Sequence, residues 1–184
     1  EFLIDVECGG IFFIEANPRI QVEHTITEEV TGIDLVQLQL RLASGTTLKQ
    51  LELSQITVAE PRSIAIQLRI NAETVQPDGS VRPSAGKITS LQPANGPGIR
   101  IVTHAYAGYT VNPRFDSLLA KLVVRSNGDL SAVVRKASRA LAETRLEGLQ
   151  TNQHLLHAIL NHPGFNSWDL TTTFIADHLG ELNQ

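Results

Sequence analysis

The stretch FFIEANPRIQVEHT, residues 12–25, sets how the rest of the chain is read. Ile14, Ala16, Pro18, Ile20 and Val22 fall on even positions, and Glu15, Asn17, Arg19, Gln21 and Glu23 on odd ones. In an extended chain, residues two apart point to one side. Two carboxylates, a guanidinium and two amides therefore share one face of an otherwise apolar segment. Such a face is either merely solvated or chemically active.

The residues before it sharpen the question. FLIDVE (2–7) and IFFIE (11–15) flank Cys8, Gly9 and Gly10, the pattern of a β-hairpin. The runs are apolar at almost every position, which predicts burial on both faces. A turn centred on Cys8 pairs residues whose numbers sum to 16, so Glu1 is expected directly opposite Glu15. Like charges facing each other across a ladder are destabilising, and a divalent cation between them reverses that. Mg²⁺ takes one or two protein carboxylates and leaves the rest of its shell to water and phosphate oxygens. Glu1 and Glu15, with Asn17 as a further oxygen donor, form a candidate metal–nucleotide site. Spacing alone leaves open that both carboxylates sit at a strand end in water. Beyond them, Arg19 offers a planar fork for a small oxyanion. Gln21 could hold the same anion, and Glu23 could accept its proton. The alternative is a surface ion pair between Arg19 and Glu23, which contributes little.

Further on, TITE (25–28) matches a capping box, Gly32 interrupts the helix it starts, and Asp34 caps a second helix through about Ser44. Its stripe is Leu35, Leu38 and Leu42. The composition changes after residue 60. SIAIQLRI (63–70) alternates, with Ile64, Ile66, Leu68 and Ile70 inward and Gln67 and Arg69 on the polar face. Strands are predicted over 86–92, 98–104 and 118–125, and helices over about 130–145, 152–161 and 170–179. Gly and Pro cluster between the strands, and Asn95-Gly-Pro-Gly98 reads as a turn. The order of strands followed by helices predicts an α+β fold with an antiparallel sheet for 61–184, after a unit ending near residue 60. His154 and His157, three apart on a helix, have a weak metal-ligand spacing with no further ligand nearby, and Cys8 is assigned no role.

With 42% hydrophobic and 18% charged residues, a folded core is expected. The net charge of −4 gives no basic surface for nucleic acid. No apolar run is long enough to span a membrane. A single cysteine and no signal-peptide pattern fit a reducing, cytoplasmic setting, with organellar targeting upstream left open. The chain opens on a strand without Met, so its natural start is expected upstream.

EFL (1–3), FFIEANPRIQVEHTITEEVTGIDLV (12–36), RINAE (69–73), PSAGKI (83–88), GIR (98–100), YAGYTVNPRFDSLLAKL (106–122) and SRALAETRLEGLQTN (138–152) together resemble the biotin carboxylase family of ATP-grasp ligases. The metal-binding Glu and Asn recur in other ATP-grasp enzymes, whereas the QVEH continuation is particular to this family. The resemblance implies that residues 1–60 are the C-terminal end of an ATP-grasp domain and 61–184 the biotin carboxylase C-terminal domain. It implies ATP, Mg²⁺ or Mn²⁺, and biotin as cofactors and substrate. It also implies a biotin carboxyl carrier and a carboxyltransferase as partners, and homodimers. The reaction is ATP- and bicarbonate-dependent carboxylation of biotin through carboxyphosphate. By the same resemblance Glu1, Glu15 and Asn17 bind metal, with Glu15 and Leu3 at the nucleotide. Arg19, Gln21 and Val22 hold bicarbonate, Glu23 is the general base, and Arg69 stabilises the enolate of biotin.

Two departures stand out. Where the family reads RINAEDP, this chain reads RINAETV, which changes a loop after Arg69. The family's glycine-rich lid and ATP-binding lysines do not occur in these residues, so the chain alone is expected to be inactive. Another ATP-grasp carboxylate ligase, or a non-catalytic dimerisation or packing module, are the competing readings.

Overall fold

Apolar residues at 2–4 and 11–13 pair as an antiparallel hairpin, β1 (Phe2–Ile4) and β2 (Ile11–Phe13). The computed structural model describes residues 1–53, 61 and 63–183. It divides the chain into two compact units, Glu1–Ala59 and Glu60–Gln184. The junction expected near residue 60 falls outside the described residues.

In the first unit the hairpin register differs from expectation. Phe2 faces Phe13, Leu3 faces Phe12 and Ile4 faces Ile11, so paired numbers sum to 15. Glu1 accordingly lies opposite Ile14, whose N–H donates to the Glu1 carbonyl at 2.9 Å, and not opposite Glu15. The cause is Asp5. Its carboxylate accepts the N–H groups of Glu7 (2.8 Å) and Cys8 (3.3 Å), closing a four-residue loop in which Gly9 takes φ 70°. This Asx turn centres the loop between Glu7 and Cys8, half a residue earlier than a turn centred on Cys8. Hydrogen bonding, first from the Cys8 thiol, also holds the Asp5 carboxyl below its ordinary range. Burial on both faces is not found. Phe2 and Phe13 remain 65% exposed, because two three-residue strands have no second layer to pack on within this unit.

The helices follow the hairpin. Residues 16–24 do not stay extended: the chain bends at Arg19 and turns at Val22 and Glu23 into α1 (His24–Thr31). The capping box is not formed. Thr25 lies inside the helix with no exposed surface, Glu23 occupies the N-cap position, and Glu28 reaches forward instead of back. Gly32, with φ 75°, ends α1 as expected. Asp34 accepts the Gln37 N–H at 2.8 Å and starts α2 (Leu35–Ala43).

The second unit is built on a three-stranded antiparallel sheet, in the order β3 (Ile64–Asn71), β10 (Leu118–Ser126), β8 (Ile99–Thr103). Leu68, Ile70, Ala120, Leu122 and Val124 on one face pack against Val133, Val134, Ala137, Ala140 and Leu141 of α3 (Leu130–Glu143). Leu68 and Ile70 are buried as predicted; Ile66 is partly buried at the rim and Ile64 is exposed. A small second core gathers Ala72, Ile88, Ala105, Val111 and Leu119.

Around this frame lie six short strands in three pairs that the sequence did not reveal. β4 (Glu73–Val75) pairs with β5 (Val81–Pro83), so the residues that depart from RINAEDP continue as strand. The single strand expected over 86–92 is two: β6 (Gly86–Lys87) pairs with β9 (Thr110–Val111), and β7 (Ser90–Gln92) with β11 (Arg145–Glu147). Between them Ile88 is drawn fully into the second core. Gly148 crosses so close that a Cβ there would collide with the Lys87 carbonyl. α4 (Gln153–Asn161) and a short α5 (Pro163–Asn166) follow. The helix expected over 170–179 is broken at His178 into α6 (Phe174–Asp177) and α7 (Leu179–Leu182), where the imidazole packs on His162 and Phe174. Among the described residues no helix is long and apolar enough to cross a membrane.

Two outcomes are expected. Leu122→Ala removes a fully buried side chain from the central strand, and denaturant titration should show a loss of about 2–5 kcal/mol. Asp129 caps α3 by accepting the Ala132 N–H at 2.8 Å, and that bond holds its carboxyl below the usual value. A folded value below the unfolded one gives stability that is present at neutral pH and is lost as pH falls through the lowered value. Thermal melts from pH 7 downward should therefore show Asp129→Ala less stable than the parent at neutral pH, with the two converging below about pH 4.

Candidate functional site

Although the expected pairing of Glu1 with Glu15 is not present, their carboxylates converge. The Asn17 side-chain nitrogen donates to Glu15 Oε1 at 2.7 Å and to Glu1 Oε1 at 3.3 Å. Gln21 Nε2 reaches Glu1 Oε1 at 3.5 Å, the outer limit of a hydrogen bond. One amide nitrogen thus stands between two anionic oxygens. Backbone hydrogen bonds from the Ile14 N–H to the Glu1 carbonyl and from the Glu1 amino group to the Glu15 carbonyl carry the hairpin past Phe13 and bring Glu15 beside Glu1. Two carboxylates and an amide gathered at one point fit a hard divalent cation, since the amide can turn its oxygen inward when a cation replaces its N–H.

Arg19, Gln21 and Glu23 line a cavity of about 390 Å³ together with Ile20, His24, Thr27, Leu35, Leu38 and Gln39. The bend at Arg19 and the turn at Glu23 bring these side chains to one opening, where strict alternation would have strung them along a strand. Val22 lies half-buried in the turn and is not among the lining residues. Two helices frame the cavity, and Glu28 ties them together. Its carboxylate accepts the Leu35 N–H at 3.1 Å, supplying a partner to an orphan donor at the start of α2. Sequence reasoning missed this strut, and it missed His24, Thr27 and Gln39 as lining. The Leu35 and Leu38 stripe was the available signal. Leu3 lies in the hairpin opposite Phe12, 47% exposed. Arg69 belongs to the second unit, exposed on β3 and opposite the buried Lys121 of β10.

Two other clusters resemble sites in composition and differ in hydrogen-bond polarity. Ser138, His157 and Asn161 lie in line, with Ser138 Oγ 3.3 Å from His157 Nε2. The Asn161 amide nitrogen donates both to the His157 carbonyl (2.8 Å) and to Nδ1 (3.0 Å). In the neutral ring Nε2 then carries the proton and cannot take one from the serine. His162, His178 and Glu181 gather three potential metal ligands within 4.8 Å of one another. His162 Nδ1, however, accepts the Gly164 N–H at 3.1 Å, so Nε2 bears the proton and donates to Glu181 at 3.3 Å. A metal at Nε2 would need the opposite tautomer.

Comparison with known proteins places the chain. Residues 67–177 match the biotin carboxylase C-terminal domain, and residues 1–51 match the carbamoyl-phosphate synthase L chain, ATP binding domain. The chain belongs to the biotin carboxylase family. It is 44% identical over 178 residues to a pyruvate carboxylase of Aspergillus terreus, covering 96% of this chain and 14% of that protein. It is 41% identical over 177 residues to a biotin carboxylase of Nostoc sp., covering 96% of this chain and 38% of that one. Among solved structures, the biotin carboxylase domain dimer of Hydrogenobacter thermophilus 2-oxoglutarate carboxylase, in complex with MgADP, ADP and bicarbonate, superposes with a TM-score of 0.90 at 35% identity. That match covers 100% of this chain and 39% of the other. The chain therefore spans well under half of each.

The strut gives a test independent of catalysis. Glu28→Ala leaves the Leu35 N–H without its carboxylate partner. Hydrogen exchange should show faster opening at the start of α2, by an amount corresponding to about 1–3 kcal/mol.

Proposed function

We propose that this chain is part of a biotin carboxylase that uses ATP and bicarbonate to carboxylate biotin on a carrier protein. On this reading residues 1–60 close an ATP-grasp domain and 61–184 form the C-terminal domain. The carrying observation is the arrangement within the first unit. Two carboxylates converge on Asn17, and Gln21, which reaches Glu1, also lines the cavity formed with Arg19 and Glu23.

Glu1, Glu15 and Asn17 would hold Mg²⁺ or Mn²⁺, which neutralises charge on nucleotide phosphate oxygens when bound. Leu3 offers an apolar contact near the adenine. Arg19 and Gln21, with Val22 shaping the turn, hold bicarbonate; a guanidinium fork and an amide suit a planar oxyanion. Glu23 takes the bicarbonate proton, since the anion is a poor nucleophile until deprotonated. Attack of the deprotonated bicarbonate on the γ-phosphate expels ADP and gives carboxyphosphate, which breaks down to CO₂ and phosphate; phosphate accepts the proton of the biotin ring nitrogen, and that nitrogen then bonds to CO₂. Arg69 then stabilises the negative charge that develops on the ureido oxygen of biotin. The solved relative that holds MgADP and bicarbonate supports this ligand set. The partners would be a biotin carboxyl carrier, a carboxyltransferase and a second copy of the carboxylase. These 184 residues contain no glycine-rich lid and no paired nucleotide lysines, so turnover requires the longer protein.

The test is phosphate release from ATP in the complete carboxylase. It should require bicarbonate and rise with biotin. Glu23→Gln keeps size and polarity and removes the base, and should lower release by at least about a hundredfold with an unchanged melting temperature. Parent-like turnover in that variant would remove Glu23 from the mechanism.

A further inference from the structure

We propose that Asn152 is a positioning residue for Arg69, holding the backbone that aims its guanidinium at the biotin ureido group. The inference rests on the role given to Arg69 above. Strand β3 lies at the edge of its sheet, with β10 on one side. The other edge, at residues 69–71, is occupied by a single residue far away in sequence. Asn152 Nδ2 donates to the Arg69 carbonyl at 3.0 Å, Asn152 Oδ1 accepts the Asn71 N–H at 2.9 Å, and the Asn152 N–H donates to the Asn71 carbonyl at 3.1 Å. These bonds pair the outer edge of the strand as a neighbouring strand would.

The use of this asparagine is unusual for its position. Asn152 stands at the N-cap of α4, where an asparagine side chain ordinarily accepts an N–H of its own helix. Here it makes no such bond. The side chain turns from its own helix and spends both its donor and its acceptor on β3. An amide is the group that can do so: the carbonyl of residue 69 and the N–H of residue 71 require a donor and an acceptor in one plane.

The opposite side of the same short segment is also fixed. Between Leu118 and Ala120 the register of β10 against β3 shifts, leaving Leu119 as a bulge opposite Ile70 and Asn71. Bulges re-aim the side chains beside them. Asn71 Nδ2 donates to Glu73 Oε1 at 2.9 Å, and Ser117 Oγ donates to Glu73 Oε2 at 2.6 Å, tying the strand end to the start of β10. Arg69 is therefore an exposed side chain on a backbone held from both edges. That combination suits a cation that must meet a developing charge at a fixed place.

The experiment compares Asn152→Asp, Asn152→Ala and Arg69→Ala, singly and combined, in the complete carboxylase. N152D keeps an acceptor for the Asn71 N–H and remains a good N-cap, but turns a donor into a carboxylate oxygen facing the Arg69 carbonyl. Biotin carboxylation and biotin-independent, bicarbonate-dependent ATP cleavage are measured side by side with melting temperature. N152D and N152A should each lower kcat for carboxylation at least about tenfold more than they lower ATP cleavage. Added to R69A, either should produce little further loss, because residues that act as a unit are non-additive. Equal losses in both activities, additive losses on R69A, or failure of both variants to fold would make Asn152 merely structural and overturn the proposal. If R69A itself carboxylates biotin at the parent rate, the reading of Arg69 fails first, and that outcome is distinct from a parent-like N152D beside a defective R69A.

Discussion

Strand β10 is the constraint around which the second unit is organised. From Leu119 to Val124 every residue is buried, on both faces of the sheet. A strand of this kind needs a partner on each edge and a layer on each face. β3 and β8 supply the edges, and α3 covers one face with Val133, Ala137 and Ala140. The pairing fixes which β3 residues enter the core. Because side chains alternate, placing Leu68 and Ile70 against α3 obliges Arg69 to the opposite face. The Arg69 side chain is thereby positioned by an apolar packing requirement that has no chemistry of its own. The bulge at Leu119 then modifies the alignment where Arg69 sits.

In the first unit the organising force is electrostatic. Glu1 and Glu15 are drawn to one amide nitrogen, an arrangement that concentrates negative charge and invites a cation. The adjoining cavity carries a guanidinium, an amide and a carboxylate. Hydrogen-bond direction also distinguishes the carboxylate pair from two clusters of similar composition. Ser138, His157 and Asn161, and likewise His162, His178 and Glu181, have suitable residue types and spacing. In both, a backbone or amide donor commits the imidazole to the tautomer that opposes catalysis or metal binding. Residue identity alone would have ranked these clusters beside the carboxylate pair.

Much of the architecture was legible because local rules coincided with tertiary demands. The alternation over 64–70, the strand expected over 118–125, the Asp34 cap and the periodicity of α3 all follow from propensity and pattern. Failures occurred where one side chain overruled the pattern. Asp5 shifted the hairpin turn, so the register placed Ile14 opposite Glu1. Thr25 entered the helix because α1 begins a residue before it, and its hydroxyl is buried rather than capping. Ile88 broke a predicted strand in two by entering a core whose other members come from distant segments. The even–odd argument grouped Arg19, Gln21 and Glu23, and they do line one cavity, but a bend and a turn gather them where an extended strand was expected.

The sequence by itself determined the family, the α+β class, and the residue types able to hold a metal, a small oxyanion and a proton. These depend on short motifs whose chemistry is carried within a few residues. Only the tertiary structure decided which hairpin register is adopted, that Glu28 braces two helices, and that Asn152 grips the strand carrying Arg69 across 83 residues of chain. Such contacts leave no local trace. They arise when packing of the core brings remote backbone edges together, and the hydrogen-bonding groups exposed there must then find partners wherever the fold has placed them.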